Sequence, residues 1–293
     1  MPAGSSLLAR SGLSDYPGCL ILLGLQGKER IQGVRTSRTR NDRDVWVVGH
    51  RGASGHAPEN TMAAFRSAVE LGARFIETDL QMTRDARLVA LHDATLDRTT
   101  NGHGPVFSHT FEEVRRLDAG GWFRGGPARS FAGERVPSIE EILDLAASHD
   151  IGLYLEIKTQ GAWGIESAVV AALRDSGEAE RVVVLSFDPT MLEAVHRFAG
   201  TVMTGFLCDQ PGGDIVERAV RIGARQLAPR GDVVTPELVK KVHDQGLQVV
   251  TWTINEQVQM RRLIAAGVDG IMSDYPDRLV HVLQEASPEL RPQ

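Results

Sequence analysis

From Val45 to Glu285 the chain repeats a single pattern, in which a short apolar segment is followed by a longer segment with the apolar spacing of a helix. A short run of aliphatic and β-branched residues predicts a strand, and apolar residues three and four apart predict an amphipathic helix. The sequence yields eight predicted strands, over residues 45–48, 75–80, 153–157, 182–185, 202–206, 225–227, 248–252 and 270–272. The predicted helices cover residues 59–71, 138–148, 164–176, 189–198, 214–222, 236–245, 256–266 and 276–285.

This alternation restricts the fold class. Strands that alternate with helices form a parallel sheet covered by helices, and eight such units close the sheet into a barrel. We therefore predict an α/β fold, a closed (β/α)8 barrel with an insertion after strand two, over about residues 93–137. The segment 88–91 is predicted to form a hairpin with strand two. An open doubly wound sheet is the alternative, but it would carry a G-x-G-x-x-G loop after its first strand, and no such loop opens a helix in this sequence.

Residues 1–44 lack the strand–helix pattern and differ in charge from the rest of the chain. They carry seven Lys or Arg and four Asp or Glu, a net charge of +3, so the remainder carries −9 of the total of −6. We predict a disordered or loosely packed N-terminal extension over 1–44, the barrel domain over 45–287 and a short tail over 288–293.

The bulk properties argue against several kinds of partner. A net charge of −6 does not suit a protein that binds nucleic acid. The apolar run Cys19–Leu23 in the extension is too short to span a bilayer, and no clear cleavage site follows it. We therefore predict no stable membrane anchor and a cytoplasmic location. Two cysteines provide no disulfide framework, and the oligomeric state stays open.

Reactive side chains are concentrated where the predicted strands end, which is the end of such a barrel that carries the chemistry. The candidate set comprises His50, Arg51, Glu77, Asp79, His92, Glu156, Lys158 and Trp252. Purely structural interpretations exist for several of them. His50 would be a histidine of the core, Glu156 and Lys158 an ion pair, and Trp252 an apolar wall. Asp274, after the last strand, is predicted to cap the following helix.

The residue types in this set favour phosphoryl chemistry. Glu77 and Asp79 lie two apart in a strand and share a face, and Glu156 adds a third carboxylate. An all-oxygen site with a formal charge of −3 selects Mg²⁺ or Ca²⁺ over zinc. Arg51 and Lys158 are suited to clamp a phosphoryl group. Two imidazoles supply a general acid and a general base near neutral pH.

Several short motifs, in this order, resemble those of the glycerophosphodiester phosphodiesterases, a family of phospholipase C-like phosphodiesterase TIM barrels. The resemblance extends from about Val45 to Val282, excludes the extension, and is specific because the motifs are many and separate. The motifs are His50-Arg51-Gly52, Pro58-Glu59-Asn60-Thr61, Glu77-Thr78-Asp79, His92-Asp93, Leu96 to Gly102 (LDRTTNG), Glu156-Ile157-Lys158, Ser186-Phe187 and Gly267 to Pro276 (GVDGIMSDYP).

The resemblance implies metal-dependent hydrolysis of small glycerophosphodiesters to glycerol 3-phosphate and an alcohol. It implies that His50 and His92 are the acid–base pair. We assign His50 as the base and His92 as the acid, an order that the sequence leaves open. The resemblance further implies that one divalent cation, Mg²⁺ or Ca²⁺, is bound by three carboxylates, and that the reaction proceeds through a cyclic phosphate. The implied metal ligands are Glu77, Asp79 and Glu156, and the implied substrate- or phosphate-binding residues are Arg51, Lys158 and Trp252.

Three other functions are compatible with parts of this pattern. A phospholipase of the lysophospholipase D type would use the same chemistry on lipid phosphodiesters, and Trp122-Phe123 in the insertion is the best candidate for a lipid-facing surface. A non-catalytic barrel that binds phosphodiesters would have no need of every candidate residue. A metal-dependent aldolase or isomerase could share the fold, but it would not require two imidazoles.

Overall fold

The computed structural model describes residues 45–125, 131–158, 164–210, 212 and 214–286. The predicted extension over 1–44 and the predicted tail over 288–293 lie outside these residues. Within the described part of the chain there are nine strands: β1 (Trp46–Gly49), β2 (Phe75–Met82), β3 (Leu88–Ala90), β4 (Gly152–Ile157), β5 (Val182–Ser186), β6 (Met203–Cys208), β7 (Gln226–Pro229), β8 (Gln248–Thr251) and β9 (Gly270–Ser273).

Eight of these described strands form a closed parallel barrel. The order around the barrel is β1, β9, β8, β7, β6, β5, β4 and β2, and β1 also pairs with β2, which closes the sheet. The remaining strand, β3, pairs antiparallel with β2, with Leu80 opposite Ala90. The predicted barrel and its hairpin are therefore confirmed.

Helices surround the barrel, as the repeated pattern predicts. In the described ranges they are α1 (Met62–Glu70), α2 (Phe111–Arg115), α3 (Ile139–His149), α4 (Ile165–Ser176), α5 (Pro189–Phe198), α6 (Ile215–Arg221), α7 (Pro236–Asp244), α8 (Gln257–Ala266) and α9 (Pro276–Ala286). Among the described residues, no helix has both the length and the apolar character needed to cross a bilayer.

Helix α1 begins three residues later than its apolar spacing predicts. Thr61 is the N-cap and accepts a hydrogen bond from the backbone N–H of Ala64. Asn60, just before it, has a positive φ of 55°, which a helix does not tolerate. Glu59 and Asn60 therefore lie in the loop between β1 and α1, at the rim of the barrel.

The alternation of side chains along the strands divides the apolar residues into two layers. Even-numbered residues of β1 and β4, such as Val48 and Tyr154, face the barrel interior and pack with Phe75 of β2. The opposite faces of the strands pack against the helices in a larger core that includes Phe65 of α1 and Ile142 of α3. The interior is filled by side chains, which leaves polar chemistry to the strand ends.

The insertion lies between β3 and α3, as predicted, and it has a small apolar core of its own. Leu96, Val106, Val114 and Val136 are fully buried there, against Val89 of β3. A short 3₁₀ helix (Val106–Ser108) and α2 are its regular elements among the described residues. This core attaches the segment after His92 to the barrel.

Gly52 permits the sharp turn that follows β1. Its φ is +83°, and a Cβ built there would lie 2.6 Å from a backbone carbon of Ala64. The same turn is tied to α1 by the hydrogen bond from the Ala53 N–H to the Ala64 carbonyl, at 2.9 Å. A side chain introduced at position 52 would therefore push the loop that carries His50 and Arg51 away from α1.

We predict that Gly52→Ala lowers the free energy of unfolding, measured by urea denaturation, by about 1–3 kcal/mol more than Gly177→Ala does. Gly177 is the matched control, because its φ is +75° but nothing lies within 4 Å of a built Cβ. The control should lose only the conformational cost of a left-handed residue, about 1–2 kcal/mol. Equal losses for the two variants would contradict the steric argument.

Candidate active site

The inward-facing rows of two neighbouring strands, β2 and β4, end at the same rim. Glu77 and Asp79 are on the interior face of β2, two and four residues after Phe75. Glu156 and then Lys158 continue the interior row of Tyr154 on β4. The parallel register places Asp79 directly opposite Glu156. The carboxylates therefore come together because of strand pairing.

The three carboxylates form a compact buried cluster. Glu77, Asp79 and Glu156 each offer an oxygen, and these oxygens all lie within 4.8 Å of one another. Their residues are only 2%, 0% and 9% exposed. Asp79 Oδ1 is buried and has Lys158 Nζ beside it, at 2.8 Å. A compact, buried cluster of carboxylate oxygens fits a hard divalent cation.

Burial and mutual repulsion change the acidity of these groups. Burial, together with the charge of Asp79, raises the pKa of Glu77 to about 7 and that of Glu156 to about 8. Burial alone would also raise the pKa of Asp79, but the charges of Lys158 and Arg51 outweigh it and hold that pKa well below its usual range. Asp79 is therefore ionised. When no cation is bound, Glu156 is mostly protonated at pH 7 and Glu77 is protonated only in part.

Two cationic side chains lie against the cluster. Lys158 Nζ is 2.8 Å from Asp79 Oδ1 and 2.6 Å from Glu156 Oε1. Arg51 Nε is 3.1 Å from Asp79 Oδ2, and the Arg51 backbone N–H donates to Glu77 Oε2 at 2.8 Å. The predicted interpretation of Glu156 and Lys158 as an ion pair thus describes part of the same cluster.

Asn60 fixes the orientation of the central carboxylate. Its amide nitrogen donates to Asp79 Oδ2 at 2.8 Å, and its amide oxygen accepts from Thr78 Oγ1 at 2.7 Å. Asn60 is only 3% exposed. A buried amide that donates to one group and accepts from another holds both in place. The motif Pro58-Glu59-Asn60-Thr61 contains this residue, but the sequence assigns it no role in the site, because its spacing predicts a helix there.

His50 is held by a carboxylate on the neighbouring strand. His50 Nδ1 lies 2.7 Å from Asp274 Oδ1, and Nε2 lies 3.9 Å from Glu77 Oε2. Asp274 also accepts hydrogen bonds from Ser54 and Asn255, at 2.8 and 2.6 Å. Asp274 lies two residues before Pro276, where α9 begins, and the prediction that it caps this helix stays a prediction.

The charges around His50 set its acidity and its tautomer. Burial alone would lower the pKa of His50, but the hydrogen bond to Asp274 and the charge of Glu77 raise it above its ordinary value. Although burial opposes this, hydrogen bonds and the His50 charge lower the pKa of Asp274 to about 2. An ionised carboxylate only accepts hydrogen bonds, so Nδ1 of His50 carries a proton and Nε2 faces the acidic cluster.

His92 also pairs with a carboxylate, that of Asp93 in the insertion. His92 Nδ1 lies 2.7 Å from Asp93 Oδ1, and Arg98 Nε donates to Asp93 Oδ2 at 2.7 Å. The bond from Arg98 lowers the pKa of Asp93 to about 2. Partial burial lowers the pKa of His92 itself. Gln81 of β2 donates to the His92 carbonyl at 3.2 Å, which anchors the backbone.

A cavity of about 440 Å³ opens beside the cluster. His92, Glu156 and Lys158 line it, and so does Phe187, which follows β5 and is 42% exposed. Trp252 stands against Phe187 edge-to-face, with ring centroids 5.5 Å apart, and its indole N–H donates to the Ala228 carbonyl at 2.8 Å. The cavity thus has a charged side and an aromatic side.

Comparison with known proteins shows the family to which this chain belongs. The model of the Glycerophosphoryl diester phosphodiesterase family matches residues 50–278. A glycerophosphodiester phosphodiesterase of Caldanaerobacter subterraneus subsp. tengcongensis is 39% identical over 241 residues, which cover 82% of this chain and 98% of that protein.

Solved structures give the same result for the fold. A structure from Silicibacter pomeroyi, described as belonging to the same family, has a TM-score of 0.79 and 32% identity, and covers 87% of this chain and 97% of its own. A phosphodiesterase of Oleispira antarctica in complex with the product sn-glycerol-3-phosphate has a TM-score of 0.74 and 26% identity, with 82% and 96% covered. The chain belongs to the glycerophosphodiester phosphodiesterase family.

Proposed function

We propose that this chain hydrolyses small glycerophosphodiesters to glycerol 3-phosphate and an alcohol, with His50 and His92 as the acid–base pair. The observation that carries the proposal is the position of both imidazoles beside one acidic cluster. His50 Nε2 is 3.9 Å from Glu77, and His92 shares a cavity with Glu156 and Lys158. A phosphodiesterase relative from Oleispira antarctica holds the same product, sn-glycerol-3-phosphate.

Glu77, Asp79 and Glu156 would hold a divalent cation, Mg²⁺ or Ca²⁺, through oxygen ligands. When bound, the cation supplies positive charge that stabilises negative charge on the phosphoryl oxygens. Arg51 and Lys158 add fixed positive charges beside it and orient the phosphate.

The glycerol hydroxyl next to the phosphate is the proposed nucleophile. It attacks phosphorus and loses its proton to one imidazole, while the other imidazole protonates the departing alcohol as its bond to phosphorus breaks. The product of this step is a five-membered cyclic phosphate. Water then opens the ring, with the roles of the imidazoles reversed, and gives glycerol 3-phosphate. An intramolecular nucleophile needs no side-chain nucleophile from the protein.

We assign His50 as the base of the first step and His92 as its acid. Asp274 and Asp93 hold the Nδ1 atoms, so Nε2 is the atom of each ring that exchanges protons with substrate. His92 lies nearer the solvent, with 34% of its side chain exposed against 16% for His50. A leaving alcohol departs more readily on the side that is open to water.

The aromatic side of the cavity supports a second candidate substrate. Phe187 and Trp252 form an apolar surface at the rim, which could contact the acyl chain of a lysophospholipid. The predicted lipid-facing pair Trp122 and Phe123 is only partly exposed, and its rings pack edge-to-face on each other. We therefore propose small glycerophosphodiesters as the substrate class.

The cytoplasmic location stays a prediction.

Replacing either catalytic histidine tests the acid–base assignment. His50→Ala and His92→Ala should each lower kcat by about 10²- to 10⁴-fold, measured as glycerol 3-phosphate released from glycerophosphocholine. Melting temperatures should stay within a few degrees of the parent. His103→Ala is the control, because the His103 side chain is 86% exposed and lies outside the cavity. A variant at position 50 or 92 that keeps nearly the full rate would remove that residue from the mechanism.

Chelation tests the cation. EDTA should abolish turnover, and added Mg²⁺ or Ca²⁺ should restore it. Without a cation, Glu156 with a pKa of about 8 and part of Glu77 with a pKa of about 7 hold protons at pH 7. Cation binding requires carboxylates, so it should release protons, and affinity should rise as pH increases from 6 to 8. Titration calorimetry in two buffers of different ionisation enthalpy measures this release.

The Glu156→Gln variant provides the control for that titration, because its amide has no proton to release. It should bind the cation more weakly and release fewer protons than the parent. Turnover that is indifferent to EDTA, or a binding heat that is the same in both buffers, would contradict the proposed cation site.

A substrate panel distinguishes the two substrate classes. We expect a higher kcat/KM for glycerophosphocholine than for lysophosphatidylcholine at concentrations below micelle formation. Phe187→Ala and Trp252→Ala should raise KM by roughly fivefold, since one aromatic contact contributes about 1 kcal/mol. Phe198→Ala is the control, because Phe198 is an equally accessible aromatic residue, 53% exposed, at the end of α5. A preference for the lysolipid would favour the lipid phosphodiesterase instead.

A further inference from the structure

Arg98, in the insertion, binds two carboxylates at once. Its Nε and Nη2 donate to the two oxygens of Asp93, at 2.7 and 3.0 Å. Its Nη1 and Nη2 donate to the two oxygens of Glu59, at 2.8 Å each. Both contacts are bidentate, which is the strongest and most directional form of an arginine–carboxylate pair. The guanidinium therefore fixes Glu59 and Asp93 relative to each other.

Each of these carboxylates also contacts a proposed site residue. Asp93 Oδ1 accepts from His92 Nδ1 at 2.7 Å. Glu59 Oε1 accepts from Arg51 Nη1 at 2.9 Å. A continuous chain of charge-assisted hydrogen bonds thus runs from Arg51 through Glu59, Arg98 and Asp93 to His92. It joins the loop after β1 to the insertion after β3.

This chain of hydrogen bonds lies where it can act on the site. Glu59 and Arg51 are well shielded, with 14% and 18% of their side chains exposed, so their charges are only weakly screened. The Arg98 side chain is more exposed, at 44%, and completes the chain of hydrogen bonds on the side that faces solvent. Hydrogen bonds from Arg98 and the charge of Arg51 outweigh burial and lower the pKa of Glu59. Both carboxylates are therefore ionised at neutral pH and act only as acceptors.

We propose that Arg98 is a positioning residue that holds the phosphate-binding Arg51 and the proton-transferring His92 in register with each other. Its contact with Asp93 keeps the proton of His92 on Nδ1 and leaves Nε2 for the substrate. Its contact with Glu59 holds the guanidinium of Arg51 against the acidic cluster. This inference rests on the proposed function, because it assigns a division of labour within that site.

The two contacts of Arg98, with Glu59 and with Asp93, lead to separate kinetic predictions. Glu59→Gln weakens the contacts of Arg51 and Arg98 with position 59 but leaves the Asp93–His92 contact in place, so it should raise KM. Asp93→Asn releases only His92 and should lower kcat, since an amide no longer requires the proton on Nδ1. Arg98→Ala should do both, for a loss of roughly 10- to 100-fold in kcat/KM, which is typical of residues that orient a functional group. Arg98→Lys should restore only a part, because an ammonium cannot bind two carboxylates bidentately.

Double variants and a matched control separate positioning from general support of the fold. In the Asp93→Asn background, Arg98→Ala should change KM alone; in the Glu59→Gln background, it should change kcat alone. The control is Arg87→Ala. Arg87 has a similar exposure, 46%, pairs with Glu140 and stacks over the ring of Phe111. Among the described residues, it is not one of those that line the cavity. It should leave kcat and KM unchanged.

An NMR measurement gives an answer that does not depend on turnover. In the parent protein labelled with ¹⁵N-histidine, the His92 ring should show one tautomer protonated at Nδ1, with its signals assigned by comparison with His92→Asn. Arg98→Ala should give a mixture of tautomers, and Arg87→Ala should not. A parent protein without turnover on glycerophosphodiesters would refute the proposed function, and the ring signals would still test the positioning of His92.

The inference is overturned if Arg98→Ala matches Arg87→Ala in kcat, KM and the His92 signals. It is also overturned if the Arg98→Ala effect on kcat/KM has the same size in the parent, Asp93→Asn and Glu59→Gln backgrounds. The contacts of Arg98 with Glu59 and Asp93 would then not account for the effect. A loss of activity that tracks a loss of melting temperature in every variant would likewise reduce Arg98 to a structural role.

Discussion

The repulsion among three buried carboxylates is the constraint on which the rest of the site depends. Glu77, Asp79 and Glu156 place oxygens within 4.8 Å of one another with almost no contact with water. In such surroundings like charges repel strongly unless they are protonated or paired. Strand pairing keeps Asp79 opposite Glu156, and Lys158 and Arg51 offset part of the charge. The barrel therefore maintains, at a cost to its own stability, an acidic cluster that fits a divalent cation.

The part of the site that lies on strands could be predicted from the sequence. Alternation along a strand places Glu77 with Asp79, and Glu156 with Lys158, on one face, and barrel topology brings the ends of neighbouring strands to one rim. The hairpin after β2 was predictable for the same reason, and it delivers His92 to that rim. Both rules depend on local periodicity, which a single sequence contains.

The loop residues could not be predicted in this way. Glu59 and Asn60 fit the apolar spacing of the following helix, and only the positive φ of Asn60 reveals that the chain turns there first. Asp274 lies two residues after Met272, so the alternation along β9 predicts that its side chain faces the barrel interior. Its position just before a helix favoured the prediction of a helix cap instead. The bridge made by Arg98 joins two loops without any periodicity, and only three-dimensional distances reveal it.

The acidic cluster and His50 act as one electrostatic unit, and this bears on the order of proton transfer. Without a cation, the charge of Glu77 helps raise the pKa of His50 while burial lowers that of His92, which by itself favours His92 as the base. In the proposed mechanism, a divalent cation held by Glu77 would offset the negative charge next to His50 Nε2 and so lower the affinity of His50 for a proton. The proposal that His50 takes the first proton therefore depends on the proposed cation site.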